Sequence, residues 1–293
     1  MSTPLKAEST QTKITTEPMS AEPSWGNSYR LIATEKWKAK SAAMGKAVTE
    51  ALVEYAKPKA GMQVLDLASG TGESAISLAA PLGKQGHVTA LDVSAELLEI
   101  AKSRAQERGL QNFSTHQADA HALPFADNSF DLATSRFGVM FFRDVALAFR
   151  ELRRVLRPSA RACFVAWGSI DQPYWRSTMG VVHRQVGGFL LQPDGPNPFR
   201  FSQPGSLSEI LQAADFHDSH EETRTVRWTW PGTPEEVWEQ AQAVSVPFRP
   251  MLDRVPANQW PQIHAEVIAA IKQYVRGENI EFSASVVLAS GRN

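Results

Sequence analysis

The chain has 293 residues, of which 43% are hydrophobic and 21% are charged, with a formal net charge of −1. This length suits one large domain or two small ones, and the composition is typical of a globular protein. The balanced charge argues against nucleic acid as a partner, because binding to phosphates requires a concentrated basic field. No apolar run approaches the roughly 20 residues that span a bilayer, so we expect no integral membrane segment.

The cysteine count and the N-terminal sequence indicate the cellular compartment of the protein. The single cysteine, Cys163, excludes an intrachain disulfide and multi-cysteine redox chemistry. The opening segment MSTPLKAEST lacks the basic-then-apolar layout of a signal peptide. No histidine or acidic residues have the spacing of metal ligands. We therefore expect a cytoplasmic protein with no bound metal.

The first half of the chain alternates strands and helices. Residues 1–24 are rich in Ser, Thr, Glu and Pro and are predicted to be a disordered tail. Apolar residues at helical spacing predict a helix over 40–57, which Pro58 ends. Strands are then predicted at 63–67, 87–93, 112–117, 129–135 and 161–167, with helices between them. This alternation predicts a doubly wound α/β fold with a mostly parallel sheet and helices on both faces.

After residue 168 the pattern changes to a segment rich in Pro, Gly and aromatic residues. A capping box of Ser206 with Glu209 predicts a helix over 206–214, and Thr233 with Glu236 predicts another. A further helix is predicted at 258–274, with strands at 225–230 and 282–289. No linker separates this half from the first, so we expect the two to fold together.

A glycine turn is the densest chemical signal in the sequence. Asp66 ends the first predicted strand, and the chain then turns through Gly70, Thr71 and Gly72 into a helix. Glycine permits close approach of a ligand to the backbone. Ligands of open parallel sheets bind beyond the carboxyl ends of the strands, where the strand order reverses. The alternative is a tight turn that binds nothing.

Acidic residues follow the next two strands. Asp92 ends the second strand, at the distance from Gly72 where a Rossmann-type site places an acid against ribose hydroxyls. Asp119 and Ala120 end the third strand, where a carboxylate and a backbone N–H could contact adenine. The alternatives are a helix-capping role for Asp92, although Ser94 is already placed for it, and an ordinary loop position for Asp119.

The type of nucleoside ligand follows from the turn. A dinucleotide site has a third glycine within the helix, but here Gly72 is followed by Glu73, Ser74 and Ala75. An acid at the first helical position would also repel a pyrophosphate. A cationic sulfonium ligand has no phosphate, so the pattern favours an adenosyl cofactor over NAD.

Five segments carry a family resemblance: VLDLASGTG, ALDVS, DAHALPFADNSFD, SRFG and ELRRVLRP. Together, over about residues 60–168, they resemble class I S-adenosylmethionine-dependent methyltransferases, most closely the ubiquinone/menaquinone-biosynthesis C-methyltransferase group. The resemblance implies that the cofactor is lined by Gly70, Thr71, Gly72, Asp92, Asp119, Ala120 and Arg136. The predicted cofactor site also includes Asp66, Ala68 and Val93. Three features depart from the pattern. Ala68 stands in place of a glycine, and Arg136 stands in place of a small hydroxyl residue. The family's usual arginine shortly after FG is not matched, because Gly138 is followed by Val139 and Met140.

The resemblance implies a doubly wound, mostly parallel seven-stranded Rossmann-like methyltransferase sheet with a helical substrate cap inserted after the fifth strand. Residues 25–168 would form a cap helix and the S-adenosyl-L-methionine-binding core. Residues 169–293 would form the substrate cap and complete the sheet. The predicted reaction is methyl transfer to a small or lipophilic acceptor, such as a quinol-like ring carbon.

Several alternatives stay open at this point. The enzyme could be an O- or N-methyltransferase of secondary metabolism acting on another small molecule. Outside that class, it could be a nicotinamide-dependent oxidoreductase or a catalytically silent adenosyl-binding module. The acceptor and the oligomeric state are not predicted.

Methyl transfer requires alignment and exclusion of water, which an aromatic lid would provide. The aromatic residues considered for this lid are Trp25, Tyr29, Trp37, Trp175, Phe189, Phe199 and Phe201, with plain core packing as the alternative. No catalytic residue is assigned. His183 lies in the expected lid segment and is the first candidate for a general base, although a surface histidine is the alternative. We expect His121 to be structural.

Overall fold

A computed structural model describes residues 36–293, so the predicted tail and the lid candidates Trp25 and Tyr29 lie outside the described residues. The strands are β1 (Gln63–Leu67), β2 (His87–Asp92), β3 (Phe113–Gln117), β4 (Phe130–Arg136), β5 (Leu156–Trp167), β6 (His217–Pro231), β7 (Val275–Arg276) and β8 (Asn279–Arg292). The helices are α1 (Lys38–Ala56), α2 (Glu73–Leu82), α3 (Ala95–Glu107), α4 (Val145–Val155), α5 (Pro173–Ser177), α6 (Met179–Val186), α7 (Ser206–Ala213), α8 (Pro234–Val244), α9 (Arg249–Leu252) and α10 (Trp260–Lys272).

The strands form one sheet in the order β3-β2-β1-β4-β5-β8-β6, with the two-residue β7 paired to β8. Strands β1 to β5 pair in parallel, whereas β8 is antiparallel to β5 and β6. The predicted mostly parallel, seven-stranded sheet is confirmed, with β7 as a short addition. The order reverses between β1 and β4, which is where such a sheet opens a binding crevice.

Helices cover both faces of the sheet. On one face α1 packs against β4, β5 and β6, and α2 and α3 follow beside it over β2 and β3. On the other face α4 and α7 pack against each other and over β5, β6 and β8. Phe149 of α4 stacks on Phe164 of β5, with ring centroids 4.9 Å apart. Cys163 is buried in β5, where desolvation raises the pKa of its thiol to about 12, so it is a core residue.

Strands β6 and β8 are longer than the sequence pattern predicts. The prediction covered 225–230 and 282–289, but the two strands pair from His217 opposite Arg292 to Pro231 opposite Asn279. The first part of β6 is polar and exposed because β6 is the edge of the sheet. Such a segment resembles a loop in sequence, and only its pairing with β8 makes it a strand.

The two predicted capping boxes have different outcomes. Thr233 and Glu236 form theirs at the start of α8. The box of Ser206 with Glu209 is wrong, because the residue before α7 is Gly205 and has no side-chain cap. The Glu221 carboxylate of β6 instead accepts from three backbone N–H groups at this end, those of Gly205, Leu207 and Ser208, at 2.6, 3.0 and 2.9 Å.

The helical cap comes from two insertions. Helices α5 and α6 follow β5, and α8 to α10 follow β6, with α10 packed against α5, α6 and α8. Helices α5 and α6 thus lie in the insertion expected after the fifth strand, and α8 to α10 add a second insertion that the sequence pattern did not assign to the cap. Among residues 36–293, no helix combines the length and the apolar character needed to cross a bilayer.

Candidate active site

A cleft of about 1190 Å³ lies at the carboxyl ends of the parallel strands. Residues that follow β1, β2, β3 and β4 line it, and so do side chains of the cap. This is the place that the general rule for open α/β sheets assigns to the ligand.

Most of the predicted cofactor residues line this cleft: Ala68, Gly70, Thr71, Asp92, Val93, Asp119, Ala120 and Arg136. Asp66 and Gly72 do not belong to the lining. The sequence pattern therefore predicted residues that share one cleft, but it did not predict which of them face into it.

Asp66 is fully buried beneath the glycine turn. Its carboxylate accepts from the hydroxyls of Ser69, Ser74 and Thr134 at 2.5, 2.8 and 2.6 Å. Burial raises the pKa of Asp66, and these three hydrogen bonds oppose the shift. The structure therefore corrects its assignment to the cofactor site, because Asp66 instead fixes the turn that carries the lining residues.

The two glycines of the turn have different roles. Gly70 has φ +54° and open space around its Cα, so the backbone is accessible there. Gly72 has φ +79°, and a Cβ on it would lie 2.9 Å from the Cβ of Ala101. Gly72 is thus required by its conformation and by the close approach of α3, and the expectation that it lines the cleft is wrong.

Asp92 connects the glycine turn to the end of β2. Its carboxylate accepts from the backbone N–H groups of Gly70 at 2.8 Å and Ser94 at 2.9 Å. Each oxygen accepts one of these bonds and keeps capacity for another donor. Ser94 caps α3 by accepting from Leu97 N–H at 3.3 Å, as predicted.

Asp119 and His121 form a pair at the edge of the cleft. The Asp119 Oδ1 accepts from the His121 backbone N–H at 2.9 Å and from its Nδ1. Desolvation raises the pKa of Asp119, but the two hydrogen bonds from His121 outweigh it and hold the pKa below its ordinary value. His121 Nε2 accepts from Asp144 N–H at 3.2 Å, so both ring nitrogens are engaged, in keeping with a structural role.

Glu73 does not carry a free charge. It forms an ion pair with Arg104, which is buried and also donates to the Thr71 carbonyl at 2.8 Å. The expected repulsion of a pyrophosphate by Glu73 is therefore weakened. The other argument against a dinucleotide site still holds, because the position of the third glycine is occupied by Ala75, which is fully buried.

Arg136 ends β4 and enters the cleft. Its Nη2 donates to the Gly45 carbonyl at 3.3 Å, while its buried Nε has no partner among residues 36–293. Burial lowers the pKa of Arg136, and the carboxylates of Glu73 and Asp66 oppose this. Arg136 thus brings a guanidinium group to the wall of the cleft.

The cap side of the cleft is an aromatic chamber, which we define by Phe137, Phe141, Phe142, Trp167, Tyr174, Trp175, Trp228 and Phe248. Phe137 stacks on Trp167 with ring centroids 4.3 Å apart. Sequence reasoning found only Trp175 of this set. The available signal for the others was an aromatic residue at a strand end, as at Trp167, or on one side of a strand, as at Trp228.

The other described lid candidates lie outside the lining. Trp37 packs against Trp230 at 5.3 Å, and Phe199 packs behind Trp175 at 5.4 Å. Phe201 is buried, and Phe189 is 63% exposed.

His183 also lies outside the lining of the cleft, and its Nε2 contacts the Gly188 carbonyl oxygen at 2.9 Å. The structure thus offers no support for His183 as a base.

The strand order and the cleft at the switch point are those of the Rossmann-like methyltransferase fold. Residues 41–185 match the model of the ubiE/COQ5 methyltransferase family, which confirms the resemblance seen in the sequence. The chain is 42% identical over 122 residues to the ubiquinone/menaquinone biosynthesis C-methyltransferase UbiE of Bdellovibrio bacteriovorus. That alignment covers 42% of this chain and 51% of the relative, so the chain spans about half the length of the curated relatives it matches.

Solved structures agree on the fold. The YcgJ protein of Bacillus subtilis aligns with a TM-score of 0.55 and 21% identity, over 84% of this chain and 97% of that one. Phosphoethanolamine N-methyltransferase 2 of Haemonchus contortus, solved with S-adenosyl-L-methionine, aligns with a TM-score of 0.53 and 17% identity. That alignment covers 91% of this chain and 60% of that one.

Proposed function

We propose that the protein is an S-adenosyl-L-methionine-dependent methyltransferase that acts on a small lipophilic acceptor. One observation carries this proposal. A single cleft joins the acidic strand ends of a nucleoside-type site to an aromatic chamber.

The strand-end side of the cleft fits the cofactor. We infer that the Asp92 carboxylate, which has remaining acceptor capacity, accepts from the ribose hydroxyls. We also infer that Asp119 and Ala120, which line the same cleft, contact the adenine edge. Val93 is 51% exposed beside them and offers an apolar surface to a base. The guanidinium of Arg136, which lines the same cleft, suits the carboxylate of the methionine portion.

The aromatic chamber fits a lipophilic acceptor. Its walls bury apolar surface and exclude water, which favours methyl transfer over hydrolysis and side reactions. The names of the matched relatives support a quinol-like ring carbon as the methylated atom. An O- or N-methyltransferase of secondary metabolism is the second candidate, because Trp228 and Phe248 of the chamber lie outside the matched residues 41–185.

The chemistry requires little beyond positioning. When bound, the cofactor supplies an electrophilic methyl group on a positively charged sulfur. The chain holds the two reactants in line and keeps water out. Ring faces of the chamber, such as the stacked Phe137 and Trp167, also attract a cationic centre.

We also propose a cytoplasmic protein whose partner is a small molecule and not nucleic acid. The formal net charge of −1 supports the second part, because phosphate binding requires a basic surface.

Calorimetric titration with S-adenosylhomocysteine tests the proposal directly. We expect one site per chain with a dissociation constant of about 1 μM, or roughly −8 kcal/mol. A folded protein that binds no S-adenosylhomocysteine would contradict the proposed function.

A further inference from the structure

We propose that His121 is a positioning residue for the cofactor, which holds one oxygen of the Asp119 carboxylate so that the other accepts from the amino group of adenine. This inference rests on the proposed function and concerns how the site recognises the base of its cofactor. His121 acts through Asp119 and makes the site selective for a base that carries an amino group.

The Asp119 carboxylate is held through one of its two oxygens. Its Oδ1 accepts from the backbone N–H of His121 at 2.9 Å and from the Nδ1 of the same residue. No residue of the described chain bonds to Oδ2, and this oxygen is accessible to solvent. The side chain is 45% exposed and lines the cleft, so a donor on a ligand can reach Oδ2.

The protonation of the His121 ring follows from its second nitrogen. Nε2 accepts from the backbone N–H of Asp144 at 3.2 Å, and a backbone N–H can only donate. Nε2 therefore carries no proton, and the proton of the neutral imidazole is on Nδ1. Nδ1–H is thus the donor to Asp119, and both ring nitrogens are used.

The His121 ring is fixed from the side of α4. Asp144 precedes this helix and caps it by accepting from Leu147 N–H at 2.8 Å. The His121 side chain is 15% exposed, and its ring meets that of Phe142 edge to face, with centroids 5.9 Å apart. The start of α4 therefore sets the direction of the ring, and the ring sets that of the Asp119 carboxylate.

The loop that carries His121 has other supports. Leu123 N–H donates to Glu151 Oε2 at 2.9 Å, and Arg154 donates to the Leu123 carbonyl at 2.8 Å. Glu151 and Arg154 belong to α4 and hold the chain just after His121. Removal of the His121 ring should therefore leave the loop in place, so that its effect falls on Asp119.

Asp119 lies beside the carboxylate proposed for the ribose. The backbone N–H of Ala118 donates to the Asp92 carbonyl at 3.1 Å, so the chain after β3 runs next to the end of β2. A nucleoside bound through its ribose at Asp92 can therefore present its base to Asp119. A carboxylate that is already held needs no further ordering when the ligand binds, so more of the hydrogen bond contributes to affinity.

The experiment is a calorimetric comparison of two ligands on the full chain. One is S-adenosylhomocysteine, and the other is its analogue with purine in place of adenine, which lacks only the amino group. We expect the wild type to bind S-adenosylhomocysteine at least about tenfold more tightly than the analogue, the effect of one charge-assisted hydrogen bond. The ratio of the two affinities is the preference for the amino group.

Two variants of His121 separate the donor from the ring. His121→Phe keeps an aromatic ring beside Phe142 but removes both nitrogens, and it should reduce the preference by about fivefold. His121→Asn restores an N–H donor close to the position of Nδ1, and its preference should lie within about twofold of the wild type. A merely structural role of His121 would change the affinity for both ligands alike.

Two further variants show where the effect acts. Asp119→Ala removes the acceptor, so the preference should disappear, and addition of His121→Phe should then change nothing more. Glu151→Ala is the matched control, because it loosens the same loop at Leu123 without touching Asp119. It should weaken or preserve both affinities together and keep the preference.

The outcomes separate this inference from the proposed function. Equal binding of the two ligands by the wild type, or an unchanged preference in His121→Phe, would overturn the inference while cofactor binding stands. A loss of preference in His121→Asn or in Glu151→Ala as large as that in His121→Phe would also overturn it. Failure of the wild type to bind S-adenosylhomocysteine would instead overturn the proposed function.

Discussion

At the scale of a single residue, Asp92 shows that the position of an acidic residue at a strand end can predict where its carboxylate lies. Its position as the last residue of β2 was sufficient to predict a cleft carboxylate, because parallel strands end at one edge of the sheet. Asp66 lies within β1, level with Ala90 of β2 and two residues before the level of Asp92, and its carboxylate accepts from the hydroxyls of Ser69, Ser74 and Thr134. The difference depends on how far along the paired strands each residue lies, and spacing along the chain does not encode that register.

The variant Asp92→Ala tests the ribose assignment. It removes acceptors for the ribose hydroxyls and for the Gly70 N–H, so S-adenosylhomocysteine affinity should fall by roughly 1–3 kcal/mol in calorimetry. Asp131→Ala is the matched control, because Asp131 accepts from the Gln63 N–H at 2.8 Å but lies outside the cleft lining. Unchanged affinity in Asp92→Ala would show that this carboxylate does not hold the ligand.

Helix starts show the limit of local patterns at the scale of an element. The box at Thr233 is local and was predictable, because both of its partners lie within one turn. The start of α7 depends on Glu221, which only the fold brings to it. In the same way, the exposed part of β6 became recognisable as a strand only through its pairing with β8.

The variant Glu221→Ala tests this tertiary cap. It leaves three backbone N–H groups without their acceptor, so the free energy of unfolding should fall by about 1–3 kcal/mol in urea titration. Ser206→Ala, at the position of the predicted box, should change it by less than about 0.5 kcal/mol. A larger loss in Ser206→Ala than in Glu221→Ala would contradict the observed cap.

At the scale of the whole molecule, the cleft combines a predictable part with an unpredictable one. The strand ends that would hold the cofactor follow from the alternation of strands and helices. The aromatic chamber does not, because Tyr174, Trp228 and Phe248 come from separate segments that only the complete sheet and cap bring together. Sequence patterns therefore indicated the fold and the cofactor class, and left the acceptor side open.

The rival classes predict different thermal behaviour for the whole chain. With S-adenosylhomocysteine at about 100 times its dissociation constant, binding adds about 2.7 kcal/mol, which should raise the melting temperature by roughly 5 °C. NADH should leave it unchanged. Stabilisation by NADH alone would favour the oxidoreductase, and stabilisation by S-adenosylhomocysteine without turnover of any acceptor would favour a silent binding module.

The tryptophans of the chamber have an optical consequence. The sequence has 8 tryptophans, and Trp167, Trp175 and Trp228 line the cleft. Indole emission responds to local polarity and to nearby quenching groups, so an acceptor that enters the chamber should alter the intrinsic fluorescence of the protein. Compound libraries could then be screened for acceptors without labels and without knowing which atom is methylated.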